Sequence, residues 1–171
     1  MELKKSNIVL IGMPGCGKST IGRKLSARIN WNFIDVDILI EERTGKSIPE
    51  IFQSGEDYFR DIESNVIEEL EHKTSTVIST GGGIVKREKN IESLSKHGFI
   101  IFINRSPEKI LKDIDIASRP LLSTKKENLL KLYAERIDLY KKYSDIEISN
   151  DCKLKATLNK LYLICKERGL L

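Results

Sequence analysis

The residues GMPGCGKST at positions 12–20 decide the fold, and they directly follow the apolar run IVLI at positions 8–11. Their fixed positions, ending in Gly17, Lys18 and Ser19, satisfy the pattern G-x-x-x-x-G-K-[ST] of a phosphate-binding loop that joins a strand to a helix. Glycines let the backbone wind closely around phosphate oxygens, and the positive end of the following helix attracts the same charge. The sequence therefore predicts a polyphosphate site at the end of the first strand.

Short β-rich runs alternate with longer helical stretches along the rest of the chain. We predict five strands, near residues 7–12, 32–35, 76–79, 99–103 and 146–148. We predict helices over residues 18–29, 38–44, 48–71, 86–96, 107–114, 127–142 and 154–168. This alternation is typical of an α/β fold, in which parallel strands are joined by crossover helices. A chain of 171 residues favours one domain over residues 1–171, and its irregular stretch at about 115–127 is expected to form a mobile lid.

The composition argues against nucleic-acid and membrane partners. The 29 basic and 25 acidic residues nearly balance and are spread along the chain, whereas nucleic-acid binding usually requires a dense basic stripe, so none is expected. No apolar run approaches the roughly 18 residues of a membrane span, so we expect a cytoplasmic protein without a membrane partner. The cysteines number three and lack CxxC spacing, which argues against a disulfide framework and a zinc site. We also expect a monomer.

The loop residues have different expected tasks around a nucleotide. Lys18 would reach the β- and γ-phosphates, and the Ser19 hydroxyl would ligate magnesium. Cys16 lies inside the loop. We favour a role for it as a small filler of the loop, with a redox switch activated by the adjacent helix start as the alternative.

Asp35 and Asp37 form a D-x-D pair at the end of the second predicted strand. If that strand continues through both residues, their carboxylates point to the same face and into one crevice. Two carboxylates facing a polyphosphate repel it unless a magnesium ion or a substrate hydroxyl stands between. We therefore assign Asp35 to magnesium and Asp37 to an alcohol that it orients, with deprotonation as a further role. The alternative is a solvated acidic turn.

Three arginines and a run of three glycines complete the candidate site. The glycines at 81–83 follow the third strand and indicate close approach of a ligand to the main chain, with a plain loop as the alternative. Arg60 either forms a surface ion pair with Glu63 or, partly buried, is held by it for an external carboxylate. Arg136 interrupts an apolar helix face, where a snorkelling side chain and a ligand contact are equally supported. Arg119 lies on the irregular stretch and would close over the transferring phosphoryl group.

Taken together, these motifs resemble those of the shikimate kinases over nearly the whole chain. The resemblance rests on GMPGCGKST, on the D-x-D pair, on FRDIE at 59–63, STGGG at 79–83, RPLL at 119–122 and the ERIDLY that contains Arg136. It implies a sheet of five parallel strands in the order 2-3-1-4-5, of the P-loop NTPase type, with a lid over ATP. It implies transfer of the γ-phosphoryl group of ATP to the 3-hydroxyl of shikimate, a step toward chorismate and the aromatic amino acids.

The resemblance also implies a role for each matching residue. ATP would be bound by Gly15, Cys16, Gly17, Lys18, Ser19 and Thr20, with Arg119 as the lid arginine. Mg²⁺ would be held by Ser19 and Asp35, and shikimate by Asp37, Arg60, Gly82 and Arg136. The catalytic residues would be Asp37, Lys18 and Arg119.

Two departures from the family pattern concern the nucleotide. The segment at 123–128 is lysine-rich and slightly short, which affects the shape of the lid. Lys112 stands where relatives often carry an arginine near adenine, and a lysine head group does not stack as a planar guanidinium does. We therefore expect weaker ATP binding or an altered nucleotide preference.

Two other functions fit the phosphate loop. A gluconate-type kinase also phosphorylates a sugar acid, but FRDIE together with GGG favours shikimate. A regulatory or mechanical NTPase is the second alternative, which the absence of an N-K-x-D guanine motif makes less favoured.

Overall fold

A parallel β-sheet forms the centre of the protein. The computed structural model describes residues 5–113 and 126–171. In that part of the chain the sheet has the order β2-β3-β1-β4-β5, and every neighbouring pair is parallel. The strands are β1 at Asn7–Ile11, β2 at Asn32–Asp35, β3 at Thr76–Ser79, β4 at Gly98–Asn104 and β5 at Ile146–Ser149.

Helices connect the strands and flank the sheet. Their bounds are α1 at Lys18–Ile29, α2 at Val36–Thr44, α3 at Ile48–Phe52, α4 at Glu56–Glu69, α5 at Glu88–His97, α6 at Pro107–Asp113, α7 at Lys126–Tyr143 and α8 at Leu154–Glu167. Single 3₁₀ turns occur at Leu70–His72 and Ile84–Lys86. All five residues of β1 are buried, and since successive side chains face opposite sides, both faces of the sheet are covered there.

The core is built from the apolar runs of the two central strands and the helix faces against them. Phe102 on β4 stacks on Tyr140 of α7, with ring centroids 5.1 Å apart. Ile21 and Leu25 of α1 are fully buried, which fixes the helix that follows the phosphate loop. Burial of each such side chain contributes about 1.5–3 kcal/mol, so the loop is anchored at both ends by packed elements.

The five predicted strands are confirmed, as are the parallel α/β class and the strand order. One predicted helix, at 48–71, is wrong as a single element, because α3 ends at Phe52 and α4 begins at Glu56. Gly55 lies between them with φ 108°, a conformation that glycine adopts without strain and that no helix continues through. The predicted lid at about 115–127, including Arg119, lies almost wholly outside the described residues.

Candidate active site

A cleft of about 920 Å³ opens at the carboxyl ends of the strands. Ligands of open α/β sheets bind at this edge, where loops from several strands converge. The cleft is lined by the phosphate loop, both aspartates of the D-x-D pair, the three glycines after β3, Arg60 and Arg136. The cleft therefore contains every described residue that the sequence analysis assigned to ATP phosphates, Mg²⁺ or shikimate, except Cys16, which is buried beneath the loop.

The phosphate loop uses glycine for backbone conformations that other residues rarely adopt. Gly12, Gly15 and Gly17 have φ values of 147°, 78° and 100°. A Cβ at Gly12 would lie 2.5 Å from the carbonyl oxygen of Ile103, and one at Gly17 would lie 2.8 Å from Nδ2 of Asn150. The loop is thus pressed against the ends of β4 and β5, and side chains at these positions would disrupt it.

The Lys18 side chain folds back under the loop, where backbone carbonyl oxygens of the loop accept its hydrogen bonds. Its Nζ donates to the carbonyl oxygens of Gly12 at 2.8 Å and Met13 at 2.9 Å, and the residue is only 6% exposed although it lines the cleft. Cys16 is fully buried, with Sγ 3.6 Å from Nζ of Lys18. Its carbonyl oxygen accepts a hydrogen bond from Asn150. This packing favours the filler role for Cys16, because a buried thiol is inaccessible to reagents.

Ser19 and Asp35 are joined by a hydrogen bond between their side chains. The Ser19 hydroxyl donates to Oδ2 of Asp35 at 2.5 Å, while Oδ1 accepts the N–H groups of Asp37 at 3.1 Å and Ile38 at 3.4 Å. Asp35 is thus the N-cap of α2, which fixes its carboxylate at the end of β2. A hydroxyl and a carboxylate are the hard oxygen ligands that Mg²⁺ prefers, so this pair fits the ion. No group of three or more potential metal-binding side chains occurs among residues 5–113 and 126–171.

Asp37 reaches the cleft by a different route from the one the sequence predicted. The condition that β2 continues through Asp37 is not met, because β2 ends at Asp35 as predicted, and Asp35 caps a helix that has Asp37 in its first turn. The two carboxylates therefore do not share a strand face, although both line the cleft. Oδ1 of Asp37 would lie 2.9 Å from a Cβ at Gly81, so the backbone after β3 packs closely against this carboxylate.

Arg60 and Glu63 form a buried ion pair on α4. Nη1 of Arg60 lies 2.8 Å from Oε2 of Glu63, and Arg60 is 4% and Glu63 0% exposed. The surface-pair alternative is therefore wrong. Glu56 contacts the same guanidinium at 3.2 Å, which leaves it held from two sides. Burial raises the pKa of Glu63, and the Arg60 charge opposes that rise.

Each glycine after β3 makes room for a different part of the site. A Cβ at Gly82 would lie 2.5 Å from Cδ of Pro14, and one at Gly83 would lie 1.9 Å from Nη2 of Arg60. The glycines thus allow the close approach of protein groups, and Gly81 does the same for Asp37. The carbonyl oxygen of Gly82 accepts a hydrogen bond from the buried Tyr140 hydroxyl, which holds this turn in place.

Arg136 is a buried residue of α7, not a snorkelling one. It is 5% exposed and lines the cleft. Its Nη1 has no hydrogen-bond partner within the described residues. A buried guanidinium nitrogen without an acceptor loses several kcal/mol of hydration, so the arrangement favours an external anion there.

An ion pair that lines the cleft was not among the predicted site residues. Arg105 follows β4, and Asp113 ends α6; the two form an ion pair on the cleft wall. A usable signal was present, because Arg105 lies two residues after the end of the fourth predicted strand, at the sheet edge that holds the phosphate loop. Asn150, which supports the loop from β5, was also missed.

A phosphate loop that shares one cleft with a positioned carboxylate and two buried arginines defines a P-loop kinase acting on a small acidic acceptor. Within that class, the chain belongs to the shikimate kinase family, whose model matches residues 14–165. It is 50% identical over 157 residues to the shikimate kinase of Clostridium beijerinckii, covering 92% of this chain and 93% of the relative. It is 55% identical over 138 residues to a shikimate kinase of Clostridium botulinum, covering 81% and 84%.

Solved structures agree with this membership. The shikimate kinase from Acinetobacter baumannii in complex with shikimate superposes with a TM-score of 0.88 at 32% identity, covering 95% of this chain and 94% of that one. The reaction of the family is transfer of the γ-phosphoryl group of ATP to the 3-hydroxyl of shikimate, in aromatic amino acid biosynthesis. The predicted family and reaction are confirmed by these matches. No helix in the described part of the chain is long and apolar enough to cross a membrane.

Proposed function

We propose that the cleft binds ATP and shikimate at its two ends and transfers the phosphoryl group between them. The observation that carries this assignment is the pair of buried arginines, Arg60 and Arg136, beside Asp37 in the same cleft as the phosphate loop. The loop forms the donor half of the site. The arginines, Asp37 and the glycine turn form the acceptor half.

In the donor half, the backbone N–H groups of residues 15–20 surround the phosphates of ATP. The Lys18 ammonium moves from the carbonyl oxygens that now accept its hydrogen bonds to the β- and γ-phosphate oxygens. Ser19 and Asp35 hold Mg²⁺, which when bound neutralises phosphate charge and orients the γ-phosphoryl group. Their direct hydrogen bond shows that the two oxygen atoms already lie close together.

In the acceptor half, the substrate carboxylate lies against Arg60 and Arg136, and the backbone at Gly82 contacts the ring. Arg60 is oriented by Glu56 and Glu63, so its fork is fixed before the substrate arrives. This preorganisation lowers the entropy lost on binding and places the 3-hydroxyl toward Asp37.

Asp37 accepts a hydrogen bond from the 3-hydroxyl and orients its oxygen toward the γ-phosphorus. The bond from that oxygen to phosphorus forms as the bond to the bridging oxygen of ADP breaks, and the proton passes to Asp37. Arg119, which lies outside the described residues, is assigned to the lid, where its charge would stabilise the transferring group.

The assignment is tested by a turnover assay with ATP, Mg²⁺ and shikimate, in which phosphorus NMR detects shikimate 3-phosphate. Gluconate serves as the matched acceptor, and turnover with gluconate but not shikimate would reject the acceptor assignment. Turnover of ATP that neither acid stimulates would favour the regulatory NTPase alternative.

The role of Asp37 has a separate test. Asp37→Asn should lower turnover by about a hundredfold to ten-thousandfold, because the amide cannot take the proton. ATP binding measured by calorimetry should stay unchanged, since Asp37 lies in the acceptor half. Loss of ATP binding in this variant would contradict the division of the cleft into two halves.

We also propose that residues 1–171 form one domain, which acts as a monomer in the cytoplasm without a nucleic-acid or membrane partner. The spread of charge along the chain supports this view.

A further inference from the structure

Arg105 lies beside the phosphate loop at the side of the cleft away from the acceptor residues. It follows β4, which pairs directly with β1, the strand that leads into the loop. The two backbones touch here, since a Cβ at Gly12 would lie 2.5 Å from the carbonyl oxygen of Ile103. Asp37 and Gly82 instead follow β2 and β3, on the other side of β1.

The direction of phosphoryl transfer places the nucleoside at this side. The γ-phosphate must face the acceptor hydroxyl near Asp37, so the α-phosphate and the nucleoside extend the opposite way. The aromatic rings that line the cleft, Phe52 and Phe59, belong to α3 and α4 in the acceptor half. Among the described residues that line the cleft on the β4 side, Arg105 carries a planar guanidinium large enough to stack on a base.

The Arg105 side chain is oriented by one ion pair and by a fixed backbone. Nη2 pairs with Oδ2 of Asp113 at the end of α6. Nε is buried and has no hydrogen-bond partner in the described part of the chain. The backbone on both sides is also fixed, because the N–H of Ser106 donates to Asp151 at 2.9 Å and the carbonyl oxygen of Asn104 accepts from the N–H of Asn150 at 2.7 Å.

We propose that Arg105, oriented by Asp113, stacks on the adenine ring of ATP and sets the affinity for the nucleoside. A planar, delocalised guanidinium stacks on an aromatic ring, which a lysine head group does not do. Lys112 is exposed and does not line the cleft. Stacking by Arg105, which follows β4, thereby offsets the loss of ATP affinity expected from Lys112 on α6.

The test compares ATP with inorganic tripolyphosphate, which has the phosphates but no base, by calorimetry on the whole protein with Mg²⁺. Arg105→Ala should weaken ATP binding by about tenfold and leave tripolyphosphate binding unchanged. Arg105→Lys keeps the charge and most of the volume, and it should show the same selective loss. Asp113→Asn should give a smaller loss for ATP alone, because the guanidinium is less restrained.

Arg87→Ala is the matched control. Arg87 is also ion-paired on the surface, to Asp61 at 2.7 Å, and its side chain is 25% exposed against 21% for Arg105, but it does not line the cleft. Arg87→Ala should leave the binding of both ATP and tripolyphosphate unchanged. An equal loss of ATP and tripolyphosphate in Arg105→Ala would overturn the proposal in favour of a phosphate contact, and unchanged ATP binding would overturn it outright.

The inference rests on the proposed placement of the triphosphate in the loop, which has its own control. Lys18→Ala should weaken ATP and tripolyphosphate together. If it does not, the placement of the phosphates fails, whatever Arg105→Ala shows. If Arg105→Ala does not fold, as judged by circular dichroism, Arg105→Lys carries the same comparison.

Discussion

At the scale of single residues, Arg60 is held by two glutamates whose proton affinities shift in opposite directions. Burial raises the pKa of Glu63 above its ordinary value of 4.5. The hydrogen bond from Lys86 lowers the pKa of Glu56 below the same value. A raised folded-state pKa gives stability that is fully present below about 4.5 and lost as the pH rises through the folded value; a lowered pKa gives the reverse.

Two isosteric variants should therefore respond to pH in opposite ways. The stability of Glu63→Gln relative to the parent should improve as the pH is raised from about 4.5 toward neutrality. That of Glu56→Gln should improve as the pH is lowered below about 4.5. Urea midpoints of all three proteins across this range measure the effect. A parallel pH trend for the two variants would contradict the opposite environments of the carboxylates.

Gly83 matters because its lack of a side chain leaves space for the Arg60 guanidinium. Its φ of −97° suits any residue, so Gly83→Ala causes no backbone strain, but the new Cβ would lie 1.9 Å from Nη2 of Arg60. We expect the guanidinium to be displaced and the KM for shikimate to rise by about tenfold or more, with the KM for ATP unchanged.

Gly45→Ala is a control for Gly83→Ala, because it should strain the backbone without a steric clash, whereas Gly83→Ala should clash without backbone strain. Gly45 has φ +66° and meets no described atom within 4 Å, so alanine there strains the backbone without touching the cleft. It should lower thermal stability and leave both KM values unchanged. Equal KM increases for ATP and shikimate in Gly83→Ala would show that the turn, and not Arg60, had been disturbed.

At the scale of secondary-structure elements, the break between α3 and α4 positions the acceptor arginine. Gly55 has φ 108° and ψ 154°, and alanine in such a conformation costs about 1–3 kcal/mol. Gly55→Ala should lower the free energy of unfolding by this amount, measured by urea denaturation. Ser54→Ala, an exposed neighbouring change, should have little effect. A neutral result for Gly55→Ala would mean that the two helices merge without cost, as the sequence pattern alone predicted.

The elements also show what the sequence could and could not predict. Strands such as β1 and β4 were found because they are continuous apolar runs, and the loop at 12–20 was found because its spacing is fixed by phosphate geometry. The end of β2 at Asp35 was predicted, but the start of α2 was predicted two residues too late, because only the capping geometry of Asp35 shows that Asp37 lies in the first turn of the helix. The ion pair of Arg105 with Asp113 joins residues on different elements, and single-sequence periodicity carries no information about such pairs.

At the scale of the whole molecule, the surface favours a monomer. Within residues 5–113 and 126–171, the exposed large hydrophobic residues are scattered over α2, α4, α7, α8 and the C-terminal end, at Ile38, Tyr58, Leu130, Leu163 and Leu171. Single exposed apolar side chains are normal on monomeric proteins, whereas a stable dimer interface usually buries more than about 1,000 Å².

The described donor and acceptor residues line one cleft within a single chain, so this part of the site needs no second copy to complete it. Light scattering coupled to gel filtration should therefore give a mass near 19.5 kDa at both low and high protein concentration. ATP and shikimate should leave that mass unchanged, because both halves of the site already face each other within the chain. A mass that doubles with concentration would contradict this, and Leu163→Lys, which charges the most exposed of these side chains, would then show whether α8 forms the contact.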